Sequence, residues 1–292
     1  MRYEKITLVG VGLLGGSLGL AIKERGLAKR VEGYVRRAAS VEECHHWGVV
    51  DRATMDLASA IAQADLVILC TPIAQMRPLV EQMLPHLQPG ALVTDVGSVK
   101  ASVVNELEPI FRQRDVVYIG SHPMAGSEKT GPAAARADLF DKAITIITPT
   151  PSSLTADVEK VEAFWQAVGS RTLRLTPEAH DELVSRSSHL PHIVAAGLAN
   201  FVLHPDHPKE QAMLCANGFR DATRIASGSP EMWRDIASAN RQNLAHVLGA
   251  FIEDLKAFQA ALTAGDLPAI MNYLEQARER REQWQQQTRS AE

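Results

Sequence analysis

Across the first 176 positions the apolar residues gather in short, β-rich runs separated by helix-length segments. The runs are Ile6–Val9, Val31–Val35, Leu66–Cys70, Leu92–Val96, Val116–Ile119, Ile144–Thr148 and Thr172–Leu175. Spacings of roughly 20–35 residues leave room for a crossover helix in most intervals, which predicts a mainly parallel α/β sheet. The first five runs are nearly continuous rather than alternating, as expected of strands covered on both faces by helices. After Thr176-Pro177 the strand-like runs stop and helical periodicity takes over. The expected division is therefore a mainly parallel α/β domain over residues 1–176 and an all-α domain over 177–292.

Within the second part, Ser229-Pro230 reads as an N-cap followed by a first-turn proline. Trp233, Ile236, Leu244, Val247, Leu248, Phe251, Ile252, Leu255, Phe258 and Leu262 follow at helical spacing, which predicts one helix of roughly nine turns. Asp266 is placed to cap a final helix carrying Ile270, Tyr273, Leu274 and Ala277, before a polar end at Glu282–Glu292. So long an apolar stripe in so small a domain needs a partner surface. A two-fold homodimer through these C-terminal helices is the expected solution.

Composition narrows the class of partner. The 292 residues are 46% hydrophobic and 22% charged, with 30 Lys+Arg against 34 Asp+Glu and a formal charge of −4. That balance excludes disorder and fibrous structure. It also disfavours nucleic acid or an anionic membrane surface, since both call for clustered basic residues. A small-molecule substrate is expected. Cys44, Cys70 and Cys215 are few, scattered and odd in number, which fits a reducing compartment better than a disulfide framework. With no leader-like segment before Ile6 and no apolar run of the ~18–20 residues that span a bilayer, the expected location is the cytoplasm.

The strongest local chemistry lies at the start. Gly10-Val-Gly12-Leu13-Leu14-Gly15 follows an apolar strand and opens a helix-like segment. Gly10 permits a tight turn, Gly12 lets backbone approach a pyrophosphate, and Gly15 allows close helix–strand packing, so residues 1–176 are expected to form a Rossmann-type dinucleotide-binding domain. The acidic residue that would accept a ribose hydroxyl about 20 positions on is replaced by Val35, with Arg36-Arg37 behind it. Guanidinium groups there suit a 2′-phosphate, so NADP is favoured, with NAD as the alternative. Thr71-Pro72 and Gly97-Ser98 end two further buried runs and are expected to face the same cleft.

A second constellation suggests acid–base chemistry. His122 lies in Gly120-Ser121-His122-Pro-Met-Ala-Gly126, which reads as a glycine-flanked loop beyond a strand, where its near-neutral pKa suits proton acceptance. Asp181, Ser185, Ser188, His189 and His192, at offsets of 0, 4, 7, 8 and 11, share one face of a predicted helix. His189-x-x-His192 has no further ligands at sensible spacing, so no metal is expected. Arg220 and Arg224, with Asp221 between them, form a polar segment between helices in which one guanidinium is free to meet a carboxylate.

Taken together, the strings GVGLLGGSLGLAI (10–22), CTPI (70–73), TDVGSVK (94–100), GSHPMAGSEKTG (120–131), SHLPH (188–192) and GFRDATRIA (218–226) resemble the prephenate/arogenate dehydrogenase family of tyrosine biosynthesis. The resemblance implies oxidative decarboxylation of a cyclohexadienol that bears a ring carboxylate. It implies that His122 accepts the hydroxyl proton and that Ser98 hydrogen-bonds near the hydroxyl and nicotinamide and orients His122. Arg224 would bind a substrate carboxylate, and His189 and His192 would line the pocket with Ser121. Glu128, Asp181, Asp221 and Trp233 would stand at its rim. The second histidine favours the keto acid prephenate over the amino acid arogenate. With no fused mutase or regulatory domain expected, feedback by tyrosine would act at the active site itself.

Two other readings compete. A dehydrogenase of the β-hydroxyacid type resembles this layout but uses a helical-domain lysine as base, and Lys209 and Lys256 lie outside the polar constellation. A non-catalytic NADP sensor would keep Gly10, Gly12 and Gly15 but would have no need of His122, Ser98 and Arg224 together.

Overall fold

A computed structural model describes residues 2–290. The chain forms two compact units, Met1–Arg241 and Gln242–Glu292.

The first unit opens with β1 (Tyr3–Val9), α1 (Leu13–Glu24), β2 (Ala28–Tyr34), α2 (Ala38–His46), β3 (Arg52–Thr54), α3 (Leu57–Ile61), β4 (Leu66–Leu69), α4 (Ile73–Met83), β5 (Leu92–Asp95), α5 (Ala101–Arg112) and β6 (Val117–Tyr118). These strands form one parallel sheet in the order β3-β2-β1-β4-β5-β6. Ile6, Leu8, Val9, Val31, Leu66, Ile68, Leu69 and Val93 are fully buried, because helices cover both faces. Strand order reverses between β1 and β4, so the crevice beyond their carboxyl ends is where a doubly wound sheet binds ligands.

The remaining strands depart from the single sheet expected. β7 (Gly120–Pro123), β8 (Ile144–Thr148) and β9 (Arg171–Arg174) make a separate three-stranded sheet, with α6 (Thr155–Ala167) between the last two. β7 runs antiparallel to β8, and β8 runs parallel to β9. Only Ile119 separates β6 from β7. His122 consequently stands on a paired strand, opposite Ile146, and not on a loop. The last strand ends at Arg174 and every later element is helical.

Those helices in the first unit are α7 (Pro177–Val184), α8 (Leu190–Val202), α9 (Lys209–Met213), α10 (Asn217–Thr223) and α11 (Pro230–Ala239). Thr176 caps α7 by accepting from the Ala179 N–H, with Pro177 in the first turn. Between α7 and α8 the chain takes a π-helical turn, Ser185–His189, so the expected regular helix across Asp181–His192 is widened in its middle. The polar face survives that change: Asp181, Ser185, His189 and His192 are buried and Ser188 is half-buried.

The expected nine-turn helix is broken. Asn240 (φ −110°, ψ 29°) ends α11, and α12 (Arg241–Ala264) starts afresh. The cause is local: the Asn240 side chain is committed to hydrogen bonds with α7 and with His189.

The second unit is a hairpin of α12 and α13 (Leu267–Ser290), turned at Gly265 (φ 67°). Asp266 caps α13 through the Ala269 N–H, and helix continues to Ser290 through the expected polar end, whose last two residues, Ala291 and Glu292, lie outside the described residues. Phe258 packs on Tyr273, with ring centroids 4.6 Å apart, and the Tyr273 hydroxyl donates to Asp254. Leu255, Leu262, Met271 and Leu274 nevertheless remain between 44% and 59% exposed.

Candidate active site

The glycine-rich turn has the shape that its sequence predicts. Gly10 takes φ 98°, a conformation that L side chains rarely adopt, and a Cβ on Gly15 would collide with the Gly10 carbonyl. A Cβ on Gly12 would meet nothing within 4 Å, which leaves open space at the N-terminus of α1. No acidic residue occupies the first turn of α1, so the positive end of its dipole faces that space uncompensated. Leu13 and Leu14 are half-buried beside it. At the carboxyl end of β4, the buried Thr71 hydroxyl has no hydrogen-bond partner, and Pro72 caps α4. An open cradle of backbone N–H groups with an unsatisfied hydroxyl fits a dinucleotide phosphate. Beyond β2, Arg36 and Arg37 are exposed, and neither makes an ion pair with the described residues.

Below Gly97 and Ser98, a fully buried ion pair joins Asp95 to Lys100, neither of which the motif reading singled out. Burying two charges is costly unless further hydrogen bonds satisfy them. Here Asp95 also accepts from the Tyr118 hydroxyl (2.9 Å) and from the N–H groups of Gly97 (2.8 Å) and Ser121 (3.1 Å). Lys100 donates in addition to the Ser121 carbonyl (2.9 Å). Burial lowers the Lys100 pKa against the pull of Asp95, and it raises that of Tyr118 well above the ordinary phenol. The pair clamps β7, in the second sheet, to β5, in the first.

Ser121 belongs to this clamp, which corrects its expected place in the substrate pocket. It is fully buried, donates to the Asp95 carbonyl (2.5 Å), and accepts from the Trp165 indole N–H (3.0 Å). Successive strand residues point to opposite faces, so anchoring Ser121 inward turns His122 the other way.

His122 then meets a residue that sequence reasoning missed. Its Nδ1 lies 2.8 Å from Nε2 of His180, whose own Nδ1 lies 2.7 Å from Asp181 Oδ1. This contact, and not Ser98, orients the imidazole. Burial, followed by the influence of His180, Lys100 and His189, pushes the His122 pKa well below the usual value, and burial lowers His180 as well. Asp181 is also corrected: it is buried away from the rim, and its carboxylate accepts from the backbone N–H groups of Lys100 (2.7 Å) and Ala101 (3.0 Å) at the start of α5. A neighbouring helix thus supplies the cap that α5 lacks in its own sequence.

The two histidines of SHLPH stand close by. His189 is buried, its pKa pushed down to about 4 by burial against the opposing effect of Asp181 and of the Ser98 backbone. Its Nδ1 faces the Asn240 amide at 3.2 Å, and its Nε2 has no well-aligned partner. His192 stacks on Trp233, and its buried Nδ1 is also unpartnered. Unsatisfied buried nitrogens on two adjacent imidazoles are what a polar ligand would complete.

Arg224, the guanidinium expected to meet a substrate carboxylate, is paired within the chain. The segment around it is helical, α10 followed by a 3₁₀ turn, and its guanidinium pairs with Glu128 (3.0 Å). Both side chains are well exposed, so the pair is easily exchanged for another anion. Among the described residues, no three His, Cys, Asp or Glu side chains group as metal ligands.

Comparison with known proteins agrees with this arrangement. Residues 18–174 match the model described as "Prephenate dehydrogenase, nucleotide-binding domain", and residues 176–276 match "Prephenate dehydrogenase, dimerization domain". The chain is 34% identical over 285 residues to a prephenate dehydrogenase of Bacillus subtilis, covering 96% of this chain and 76% of the relative. It is 31% identical to a cyclohexadienyl dehydrogenase of Zymomonas mobilis, covering 96% and 95%. Among solved structures it is similar to prephenate dehydrogenase from A. aeolicus in complex with hydroxyphenyl propionate and NAD+, with a TM-score of 0.89, 30% identity, and coverage of 97% and 98%.

Proposed function

Because the chain belongs to the prephenate dehydrogenase family, we propose that it oxidatively decarboxylates prephenate to 4-hydroxyphenylpyruvate, with His122 as proton acceptor. The observation that carries this reading is the direction of the hydrogen bonds at His122. Both oxygens of the Asp181 carboxylate already accept from backbone N–H groups, so it is an acceptor toward His180 as well, and His180 Nδ1 carries a proton. A neutral His180 then accepts at Nε2, so His122 Nδ1 donates and its Nε2 is left with a lone pair. That nitrogen takes the proton of the ring hydroxyl as hydride leaves the same carbon. The nicotinamide, when bound beyond β1 and β4, supplies the hydride acceptor. Loss of CO2 then leaves the electron pair of the broken bond in the ring, which becomes aromatic as its oxygen takes the proton back from His122, so the protein's task is positioning plus one proton acceptor.

Arg224 exchanges Glu128 for a substrate carboxylate, while His189, His192 and Trp233 line the ring and side-chain subsite and Ser98 stands at the hydroxyl. Arg36 and Arg37 meet the 2′-phosphate of NADP; their lack of acidic partners supports that preference over NAD. We read residues 1–176 as the cofactor domain and 177–292 as the substrate and dimerisation domain, supported by the last strand ending at Arg174. Exposed apolar side chains support a homodimer, with Leu274 and Met271 in the second unit and Phe201, Met213 and Leu214 in the first. Cys44, Cys70 and Cys215, all unpaired, support a cytoplasmic setting, and no helix among the described residues is long and apolar enough to cross a membrane.

The test is a two-by-two assay of prephenate and arogenate against NAD+ and NADP+. Turnover of prephenate with preference for NADP+ is expected. Turnover of arogenate alone would reassign the substrate, and tight nucleotide binding without turnover of either would remove the catalytic reading.

A further inference from the structure

Asp181 is the common support of both pocket histidines, and it reaches them through different atoms. Its carboxylate holds His180, which holds His122. Its backbone carbonyl accepts from the Asn240 side-chain amide at 2.8 Å, and that amide faces His189 Nδ1 at 3.2 Å. A carbonyl has no proton to give, so the atom of Asn240 facing it is the NH2 nitrogen. The second proton of that same nitrogen goes to His189 Nδ1. A neutral His189 protonated elsewhere has its proton on Nε2.

We propose that Asp181 fixes the two imidazoles in opposite tautomers, presenting His122 Nε2 as a bare acceptor and His189 Nε2 as an N–H donor, with His180 and Asn240 as positioning residues. One ring is set to take the proton of a hydroxyl, and the other to donate to an oxygen of the same substrate. Fixing both from one residue prevents the pocket from filling with two acceptors or two donors. The charged and titratable groups acting on His122 are His180, Lys100 and His189, and those acting on His180 are Asp181, Lys100 and Asp95. The Asp181 carboxylate is itself pinned by the Lys100 and Ala101 N–H groups, so it does not swing to serve one ring at the expense of the other.

Two features lost to the sequence pattern take on a role here. The break at Asn240 delivers an amide to His189. The π turn at Ser185–His189 follows Asp181 and carries His189 at its end.

The inference rests on His122 being the proton acceptor, but its direct test needs no substrate. In the full chain labelled with 15N-histidine at pH 8, two-bond nitrogen–proton correlations distinguish the tautomers, and signals are assigned by loss in His122→Asn, His180→Asn and His189→Asn. His122 and His180 are expected as Nδ1–H forms and His189 as the Nε2–H form. Asn240→Leu is expected to release His189 into a mixture while leaving His122 unchanged. In steady-state assays, His180→Phe is expected to lower kcat at least tenfold without a matching rise in KM and to move the acid limb of the pH profile. His180→Gln, whose amide oxygen still accepts from His122 Nδ1, should recover a substantial part of that loss. His122 found as Nε2–H, or His189 as Nδ1–H, would overturn the proposal. So would a folded His180→Phe with an unshifted acid limb and kcat within twofold of wild type, or a folded His180→Gln no more active than His180→Phe. Failure of the wild type to turn over prephenate or arogenate would instead remove the functional reading and leave the tautomer result standing.

Discussion

The Trp233 indole lies flat on the His192 imidazole, with ring centroids 3.5 Å apart and planes 9° from parallel. Gly228 makes room for it, since a Cβ there would press on the indole nitrogen and on His192 Cε1. Aromatic stacking contributes about 0.5–1.5 kcal/mol beyond burial, and here it fixes the plane of an imidazole whose Nδ1 is unsatisfied. Trp233→Ala should raise KM for prephenate roughly 2–12-fold, the equivalent of that energy, with kcat changed less. Steady-state kinetics decide the point, and a kcat loss with unaltered KM would contradict it.

Removing the proton acceptor should affect the chemical step. His122→Asn should lower kcat by about 10²–10⁴ while nucleotide affinity, measured by calorimetry, stays near wild type. A kcat within a few-fold of wild type would show that another group takes the proton.

The two arginines beyond β2 give a cofactor prediction. Arg36→Ala combined with Arg37→Ala should weaken NADP+ at least tenfold more than NAD+. Equal losses for the two nucleotides would mean that these side chains serve the helix start and not the 2′-phosphate.

Burial lowers the pKa of His122, His180, His189 and His192, that of His189 to about 4. The unfolded chain titrates near the ordinary value of about 6.5, so between the two it binds protons that the folded chain refuses. Stability should be full above about pH 6.5 and decline as pH falls toward 4, with His189 alone contributing up to about 3 kcal/mol. Urea midpoints at pH 8, 6 and 5 test this, and a flat series would refute it. Because burial lowers the pKa of His122, kcat/KM should stay level as pH falls through the ordinary histidine range near about 6.5 and decline only at lower pH.

The clamp between the sheets predicts a non-additive pair. Lys100→Met leaves the Asp95 carboxylate buried without its counter-charge and should cost about 3–5 kcal/mol. Adding Asp95→Asn removes the stranded charge and should recover part of that loss. A double variant less stable than Lys100→Met would show that Asp95 is held by its other donors alone.

Much of this was legible in the residues. β4 announces itself because a doubly covered strand is apolar throughout, β1, β2 and β5 do so by the apolar stretches within them, and Gly10, Gly12 and Gly15 sit where the first turn needs them. β7 was hidden because Gly-Ser-His-Pro carries the composition of a loop, and β3, at three residues, is too short for any period to register. The break at Asn240 leaves the apolar spacing on either side intact, so periodicity runs straight through it. His180 lies off the face that links Asp181 to His192 in a regular helix, and nothing in its neighbours marks it. Asp95 and Lys100 were visible as letters of a motif, but a buried ion pair is a property of packing between elements distant in the chain.

The wide turn at Ser185–His189 has a consequence for how this site tolerates change. A regular helix advances about 100° per residue, so deleting one residue from the turn would leave a well-bonded, even straighter helix. Everything after the deletion would rotate by that amount, carrying His192 off Trp233 while Asp181 kept its grip on α5. Point substitutions at exposed Arg186 or Ser187 are therefore a gentler perturbation than loss of either residue. Related chains that keep the chemistry are expected to vary in letters here and to hold the count.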